Sequence, residues 1–122
     1  MPRIVHFELP VEDHERAAEF YGSVFGWQVQ GVEDDEEGYW VLTTGSEEPG
    51  IDGALISKRF ATELVNIIGV DSVDDYLKRA SEAGAEVVRP KREIPTVGFA
   101  AYIQDPEGNT VGLFEPLEGA SV

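Results

Sequence analysis

Alternating apolar and polar residues near the start of the chain predict a β-strand over residues 4–11. Successive side chains of a strand point to opposite faces, so His6, Glu8 and Pro10 share one face. The apolar face carries Val5, Phe7, Leu9 and Val11. We expect this apolar face to pack against the helix that follows, and the face with His6 to be the mixed, ligand-facing one.

An amphipathic helix is predicted next, with Asp13 as its N-cap and Gly26 as the residue that ends it. Its apolar stripe has helical spacing and consists of Ala17, Phe20, Tyr21 and Val24. Three strands are then predicted over 27–30, 39–44 and 53–57. The acidic block 33–37, with Gly38, is predicted to form the turn between the first two.

The second half of the chain repeats this order. A strand over 64–70 and a cap at Asp71-Ser72 lead into a helix that Gly84 ends. The apolar stripe of that helix is Val73, Tyr76, Leu77 and Ala80. The remaining predicted strands are 85–89, 98–104 and 110–115, with a turn at 105–109. The sequence therefore predicts one domain, 1–122, made of two βαβββ modules, about 1–60 and 61–122, that share a sheet because about 60 residues bury a poor core alone.

The chain is strongly acidic, and its net charge says more about its partners than its overall composition does. The 122 residues include 24 Asp and Glu against nine Lys and Arg, a net charge of −15, and no Cys. Such a chain repels phosphate backbones, so we expect no nucleic-acid partner. It offers no apolar stretch long enough to cross a membrane and no secretion signal, so we expect a cytoplasmic protein. Adaptation to high salt and plain acidity explain the charge equally well.

Several motifs resemble the vicinal oxygen chelate superfamily, which contains glyoxalase I, bleomycin-resistance proteins and extradiol dioxygenases. They are His6-Phe-Glu-Leu-Pro-Val-Glu-Asp, Ala17-Ala-Glu-Phe-Tyr-Gly-Ser-Val-Phe-Gly-Trp, Val70-Asp-Ser-Val-Asp-Asp-Tyr, Gly84-Ala-Glu-Val-Val and Asp105-Pro-Glu-Gly-Asn-Thr-Val-Gly-Leu-Phe-Glu. The chain looks most similar to the branch described as predicted enzymes related to lactoylglutathione lyase. The resemblance implies an α+β fold in which two βαβββ modules form a cupped mixed sheet, with helices on the convex side, and it implies a homodimer.

The resemblance also implies a site where four side chains hold a divalent metal beside a small ligand. His6 matches the first ligand position, but Ala54, Val65 and Gly112 match the other three and carry no donor atom. We therefore expect no metal and no cofactor. A divalent metal held by His6 with other ligands stays as the alternative.

Two groups of residues are candidates for the site. His6 and Glu8 are predicted to form a proton-transfer pair, and the alternative is a hydrogen-bonded histidine without catalytic function. His14 is assigned no function. The predicted ligand-binding residues are Trp40, Ala54, Val65, Ile67, Tyr102, Gly112 and Phe114. For the aromatic residues among them, ordinary core packing is the alternative.

A basic cluster and a loop complete the candidates. Arg89, Lys91 and Arg92 could attract an anionic substrate or could be solvated charges beside an edge strand. The stretch 91–98 contains Pro95 and Gly98 and is long enough to form a lid, or a plain connection.

Three functions fit these observations. The first is a protein that binds a small molecule without metal, with lyase-like or isomerase-like activity as an extension. The second is a metal-dependent enzyme of the glyoxalase or dioxygenase type. The third is a structural or regulatory dimer. We expect the first, because three of the four ligand positions lack donors.

Overall fold

A computed structural model describes residues 2–32 and 38–117. The acidic block 33–37, predicted as a turn, lies outside the described residues. The chain divides into two compact units, His6–Val65 and Asn66–Val122, the second of which also includes Met1–Val5. We refer to them as the first and second modules and describe each by itself.

The first module has the predicted βαβββ order. Its elements are β1 (Arg3–Val11), α1 (His14–Phe25), β2 (Gln28–Gly31), β3 (Trp40–Thr43) and β4 (Asp52–Ser57). The strands lie in the order β2-β3-β4-β1, and β1 pairs with β4 in parallel while the other pairs are antiparallel. The parallel pair encloses the helical crossover that such a connection requires.

The second module repeats this arrangement. Its elements are β5 (Val65–Gly69), α2 (Val73–Glu82), β6 (Glu86–Ile94), β7 (Gly98–Gln104) and β8 (Thr110–Pro116). The strands lie in the order β5-β8-β7-β6, and the pair β5–β8 is parallel. The βαβββ order predicted for each half of the chain is therefore confirmed.

The start and end of α1 are as predicted, but its orientation is not. Asp13 caps the helix by accepting a hydrogen bond from the Arg16 amide (3.0 Å), and Gly26 ends it at φ 75°. The apolar residues Phe20 and Val24 are 54% and 55% exposed. The half-buried positions of the helix are His14, Ala17, Ala18, Tyr21 and Gly22. Two of the four residues of the predicted stripe, Ala17 and Tyr21, are thus among the half-buried positions, and the other two, Phe20 and Val24, are exposed.

The helix α2 packs as its sequence predicts. Ser72 caps it by accepting a hydrogen bond from the Asp75 amide (3.1 Å), and a carboxylate oxygen of Glu115 accepts one from the Val73 amide (2.9 Å). The buried core of this module consists of Val70, Val73, Ala101, Ile103 and Leu113. Packed around it are Ile68, Tyr76, Leu77, Ala80, Ala85, Phe99 and Val111. The whole predicted stripe of α2 faces this core.

The stretch 91–98 is not a lid. Its first half belongs to β6, which runs to Ile94 and pairs with β7, and Ile94 itself is buried. A tight turn closes the hairpin, in which the Val97 amide donates to the Ile94 carbonyl (2.9 Å). Pro90 lies inside β6. Because proline usually ends a strand, the full length of β6 could not be predicted from the sequence. The turn places Thr96 at φ 66°, a conformation that β-branched residues rarely adopt.

The turn predicted at 105–109 is confirmed. Asp105 accepts hydrogen bonds from the amides of Asn109 and Glu107, each at 2.9 Å, and these bonds lower the pKa of its carboxyl. Neither of the two helices in the described part of the chain is long and apolar enough to span a bilayer.

Candidate functional site

Strand register decides which candidate side chains share a face. Glu8 is the partner of Ala54 across β1 and β4, and Val41 is the partner of Ala54 across β3 and β4. His6 lies two residues before Glu8 and is the partner of Asp52. Partners across a sheet point the same way, so these residues share one face of the first module. We call this face, opposite to the one that α1 covers, the His6 face.

Glu8 is the most buried residue of β1, with 1% of its surface exposed. It is also the one charged residue that is buried in the described part of the chain. The apolar face of β1 was expected to be the more buried one. Instead its side chains Phe7 and Leu9 are only half-buried. Phe7 does lie on the side of α1, with its ring 6.3 Å from that of Trp27.

His6 has a hydrogen-bond partner that the sequence analysis did not identify. The Nε2 atom of His6 lies 2.9 Å from the hydroxyl of Tyr39, and the two rings are nearly parallel. Burial lowers the pKa of His6 to about 4, and the nearby charge of Asp52 opposes this shift only in part. His6 is therefore a neutral imidazole at physiological pH.

Asp52 is held in place from the neighbouring strand. Its carboxylate oxygen Oδ1 accepts hydrogen bonds from the amide and the hydroxyl of Thr44, at 2.8 and 3.2 Å. The carboxylate beside His6 is thus oriented by the segment that follows β3, and it has little freedom to turn.

Trp40 does not join this face. It is the partner of Leu55, which in turn pairs with Leu9, so Trp40 lies on the side that α1 covers. Its ring lies 5.0 Å from that of His14. His14, expected to be a solvated residue without function, places Nε2 2.7 Å from the Gly38 carbonyl. Trp40, predicted to line the ligand pocket with core packing as the alternative, thus lies on the α1 side and not on the His6 face.

The second module gathers four of the predicted ligand-binding residues on one face. Ile67, Gly112 and Tyr102 are consecutive partners across β5, β8 and β7, and Phe114 lies two residues beyond Gly112. This face is opposite to the α2 core. All four residues are buried, and so are Ala54 and Val65 of the first module. Such burial is what the alternative of core packing predicts for these positions.

Gly112 shows how closely this face is packed. A Cβ atom added at Gly112 would overlap Cδ1 of Ile67 and would lie 3.4 Å from the Tyr102 ring. The position that the resemblance assigns to a metal-binding side chain is therefore filled by the end of Ile67.

The basic cluster divides between two sides. Lys91 binds Asp74 of α2 at 3.0 Å and lies over the Phe99 ring, on the helix-covered side. Arg89 lies 5.8 Å from the centre of the Tyr102 ring, on the opposite side. Arg92 is the partner of Ala100 and shares the side of Arg89. The three cations do not form one site.

Comparison with known proteins identifies the family to which the chain belongs. Residues 3–113 match the model of the Glyoxalase/Bleomycin resistance protein/Dioxygenase superfamily. The chain belongs to this superfamily. The resemblance inferred from the motifs of the two modules is thereby confirmed.

Two curated relatives of this chain are longer than the chain itself. The protein named "Putative glyoxylase CFP32" of Mycobacterium tuberculosis (strain CDC 1551 / Oshkosh) is 28% identical over 116 residues, which cover 88% of this chain and 43% of that protein. The Mycobacterium bovis protein of the same name matches equally. The chain thus spans less than half the length of these curated relatives.

Solved structures confirm the fold. A methylmalonyl-CoA epimerase of Streptomyces coelicolor, in complex with 2-nitronate-propionyl-CoA, superposes with a TM-score of 0.74 at 19% identity, covering 100% of this chain and 99% of that one. The methylmalonyl-CoA epimerase of Mycobacterium tuberculosis gives 0.67 at 19% identity, covering 92% and 86%. These similarities establish the glyoxalase fold of two βαβββ modules.

The residues present do not supply the four-ligand metal site that the glyoxalase superfamily implies. Ala54, Val65 and Gly112 have no donor atoms, and the end of Ile67 fills the space beside Gly112. Within residues 2–32 and 38–117, no three His, Asp or Glu side chains converge as metal ligands would. No step of the function proposed below is therefore routed through a metal.

Two site residues escaped the sequence analysis of this glyoxalase-superfamily chain. Tyr39 was predicted only as the first residue of a strand. It lies two residues before Val41, so the alternation of a strand places it on the His6 face with Val41. Asp52 was missed because β4 was predicted to begin at Gly53. The alternation in Asp52-Gly53-Ala54 already contained the signal, since it places Asp52 and Ala54 on one face.

Proposed function

We propose that this chain binds a small organic molecule at the His6 face of the first module, without the four-ligand metal site of its superfamily. Glu8 is the proton acceptor of this proposal, and neutral His6 orients the ligand by hydrogen bonding. The observation that carries the proposal is the burial of a carboxylate, Glu8, beside Ala54 in the middle of a strand.

Physical cost supports a functional reason for Glu8. A buried carboxylate has to be paired and hydrogen-bonded to avoid a penalty of several kcal/mol, and among the described residues no buried side-chain polar atom lacks a hydrogen-bond partner. An apolar side chain at the position of Glu8 would need no such partners. The neighbouring Ala54 is itself fully buried, and its side chain is a single methyl group. A charged side chain next to a small one is typical of a ligand site.

The named activities of the relatives suggest a reaction class. One matched protein is named a putative glyoxylase and another a methylmalonyl-CoA epimerase, and both names point to chemistry at a carbon beside a carbonyl group. In the corresponding step here, Glu8 removes the proton from the carbon beside the carbonyl and becomes a neutral acid. The C–H electron pair forms an enolate, and the acid then returns the proton to carbon.

Ligand binding can be tested by calorimetric titration and turnover assays. The ligands are S-lactoylglutathione, the hemithioacetal of methylglyoxal and glutathione, and methylmalonyl-CoA. We expect one of them to bind, with Glu8→Gln abolishing turnover while the variant stays folded. Glu12→Gln is the matched control, because Glu12 is exposed and its ion pairs with Arg16 and Lys58 are long, at 4.0 and 3.8 Å. Equal loss in both variants, or no binding at all, contradicts the proposal.

A metal-dependent enzyme that uses His6 is the second candidate, and the match to the glyoxalase model favours it. Elemental mass spectrometry of protein purified without a histidine tag separates the two. About one transition metal ion per chain, lost in His6→Ala, would favour the metalloenzyme over the metal-free protein that we propose.

We also propose that the chain forms a homodimer in the cytoplasm. Large apolar side chains on α1, among them Phe20, Val24 and Phe25, are more than half exposed within the single chain, which supports burial in a second copy. Sedimentation equilibrium should give the mass of two chains. A mass of 13.4 kDa would contradict the dimer.

Unfolding in molar salt tests whether the acidic surface is an adaptation to salt. Molar salt strongly stabilises a halophilic protein, whereas it stabilises a merely acidic protein only slightly.

A further inference from the structure

Tyr39 is the residue of the His6 face that most directly controls the histidine. It precedes β3, only 4% of its surface is exposed, and its hydroxyl lies 2.9 Å from Nε2 of His6. Nothing in the sequence pattern or in the family match gives it a function. Its contact to the ring nitrogen nevertheless determines which nitrogen can carry the proton.

A neutral imidazole has one N–H donor and one bare nitrogen that accepts. Two arrangements therefore fit the distance between His6 and Tyr39. In the first, the phenol donates its O–H to a bare Nε2, and the histidine proton is on Nδ1. In the second, an Nε2–H donates to the phenol oxygen. A phenol is the better donor, with a pKa near 10, and an imidazole nitrogen is the better acceptor, so the first arrangement is the stronger hydrogen bond.

The backbone around Tyr39 is fixed on both sides. Its own carbonyl accepts a hydrogen bond from the Val32 amide (3.2 Å). The carbonyl of the preceding residue, Gly38, lies 2.7 Å from Nε2 of His14. Gly38 has φ 75°, and a Cβ there would lie 3.6 Å from the His14 ring. The phenol is therefore brought to His6 by a segment that is anchored independently of any ligand.

We propose that Tyr39 is a positioning residue that donates its hydroxyl proton to Nε2 of His6 and thereby holds the histidine proton on Nδ1. This inference rests on the proposed function in so far as the His6 face contacts the ligand. With its proton on Nδ1, His6 can donate a hydrogen bond through Nδ1 while its Nε2 is occupied by the Tyr39 hydroxyl. His6 then has no bare nitrogen to act as a base, and proton removal is left to Glu8.

Nitrogen-15 NMR of the imidazole side chains tests the proton position directly. The chain contains two histidines, so the spectrum has two imidazole systems, and His14→Gln assigns them. We expect His6 between pH 6 and 8 to show an unprotonated, pyridine-like Nε2 and a protonated, pyrrole-like Nδ1. In Tyr39→Phe, which keeps the ring, we expect these two signals to move toward the averaged values of a tautomer mixture, while those of His14 stay unchanged.

The proposal is overturned if wild-type His6 carries its proton on Nε2, or if Tyr39→Phe leaves a fixed Nδ1–H tautomer. The wild-type result needs no variant, so it decides the question even if Tyr39→Phe is unstable. Failure of the proposed function has a different signature, since it would leave this tautomer intact while no ligand bound.

Discussion

Gly112 and Ile67 offer a sharp test of how the second module is packed. A Cβ at Gly112 would occupy the space that Cδ1 of Ile67 now fills, and it would lie 3.4 Å from Cε1 of Tyr102. Gly112→Ala should therefore destabilise the protein by overpacking. Ile67→Val removes the methyl group that is in the way, so the double variant should recover much of that loss.

The magnitudes follow from the type of each change. Overpacking a dense core destabilises a protein by about 1–3 kcal/mol. Alanine restricts the unfolded chain more than glycine does, which stabilises the folded protein by about 0.4–1 kcal/mol. We therefore expect Gly112→Ala to lower the unfolding free energy by about 1–2 kcal/mol. Ile67→Val alone costs about 0.5–1.5 kcal/mol. In the double variant the methyl group added at position 112 takes the place of the lost Cδ1. We therefore expect a coupling free energy of about 1–2 kcal/mol between the two changes.

Urea denaturation of the wild type, both single variants and the double variant measures this coupling. Gly45→Ala is the control, since a Cβ there meets nothing within 4 Å, and with Ile67→Val it should be additive. If Gly112→Ala and Ile67→Val are also additive within about 0.5 kcal/mol, the close contact does not exist and the reasoning is refuted.

Three further predictions concern other positions. Gly53→Ala should cost about 2–3 kcal/mol in urea denaturation, because its Cβ would lie 2.6 Å from the Phe7 carbonyl oxygen, a backbone atom that cannot move aside; a loss no larger than that of Gly45→Ala would contradict this. Thr96→Gly should raise the unfolding free energy by up to about 1 kcal/mol, because relieving a β-branched residue at φ 66° gains about 1–2 kcal/mol and the freer unfolded chain of glycine costs about 0.4–1 kcal/mol. A loss of more than about 1 kcal/mol would show that the turn is not strained. The pKa of His6 falls from about 6.5 in the unfolded chain to about 4 in the folded one, so the stability it contributes is complete above pH 6.5 and is lost as the pH falls through 4. Between these limits, wild type should lose about 3 kcal/mol more than His6→Gln, and parallel pH profiles would refute the burial of His6.

Sequence periodicity predicted the fold because each module repeats the same local signals. The capping residues Asp13 and Ser72 and the spacing of the apolar residues in α2 are local features, and the structure confirms them. The stretch 91–98 was predicted as a loop, either a lid or a plain connection, but its first half belongs to β6. Pro90 usually ends a strand, and here pairing with β7 overrides that local preference.

The site was harder to predict than the fold for a physical reason. Alternation along β1 correctly placed His6 and Glu8 on one face. It could not show that Glu8 is the most buried residue of the strand, because burial depends on what covers each face. The side on which Trp40 lies could not be predicted, since the register of β3 is fixed only by its pairing with β4, and a shift of one residue exchanges the two faces.

The distribution of indole rings gives the first module an optical reporter of its own. Both tryptophans of the chain belong to the first module: Trp27 stacks on Tyr21, and Trp40 lies beside His14. Indole emission therefore follows the unfolding of the first module alone, while far-ultraviolet circular dichroism follows both helices. Coincident denaturation curves would mean that the two halves melt as one cooperative unit. Separated curves would give each half its own stability, and every free energy proposed above would then have to be assigned to the module in which the substitution lies.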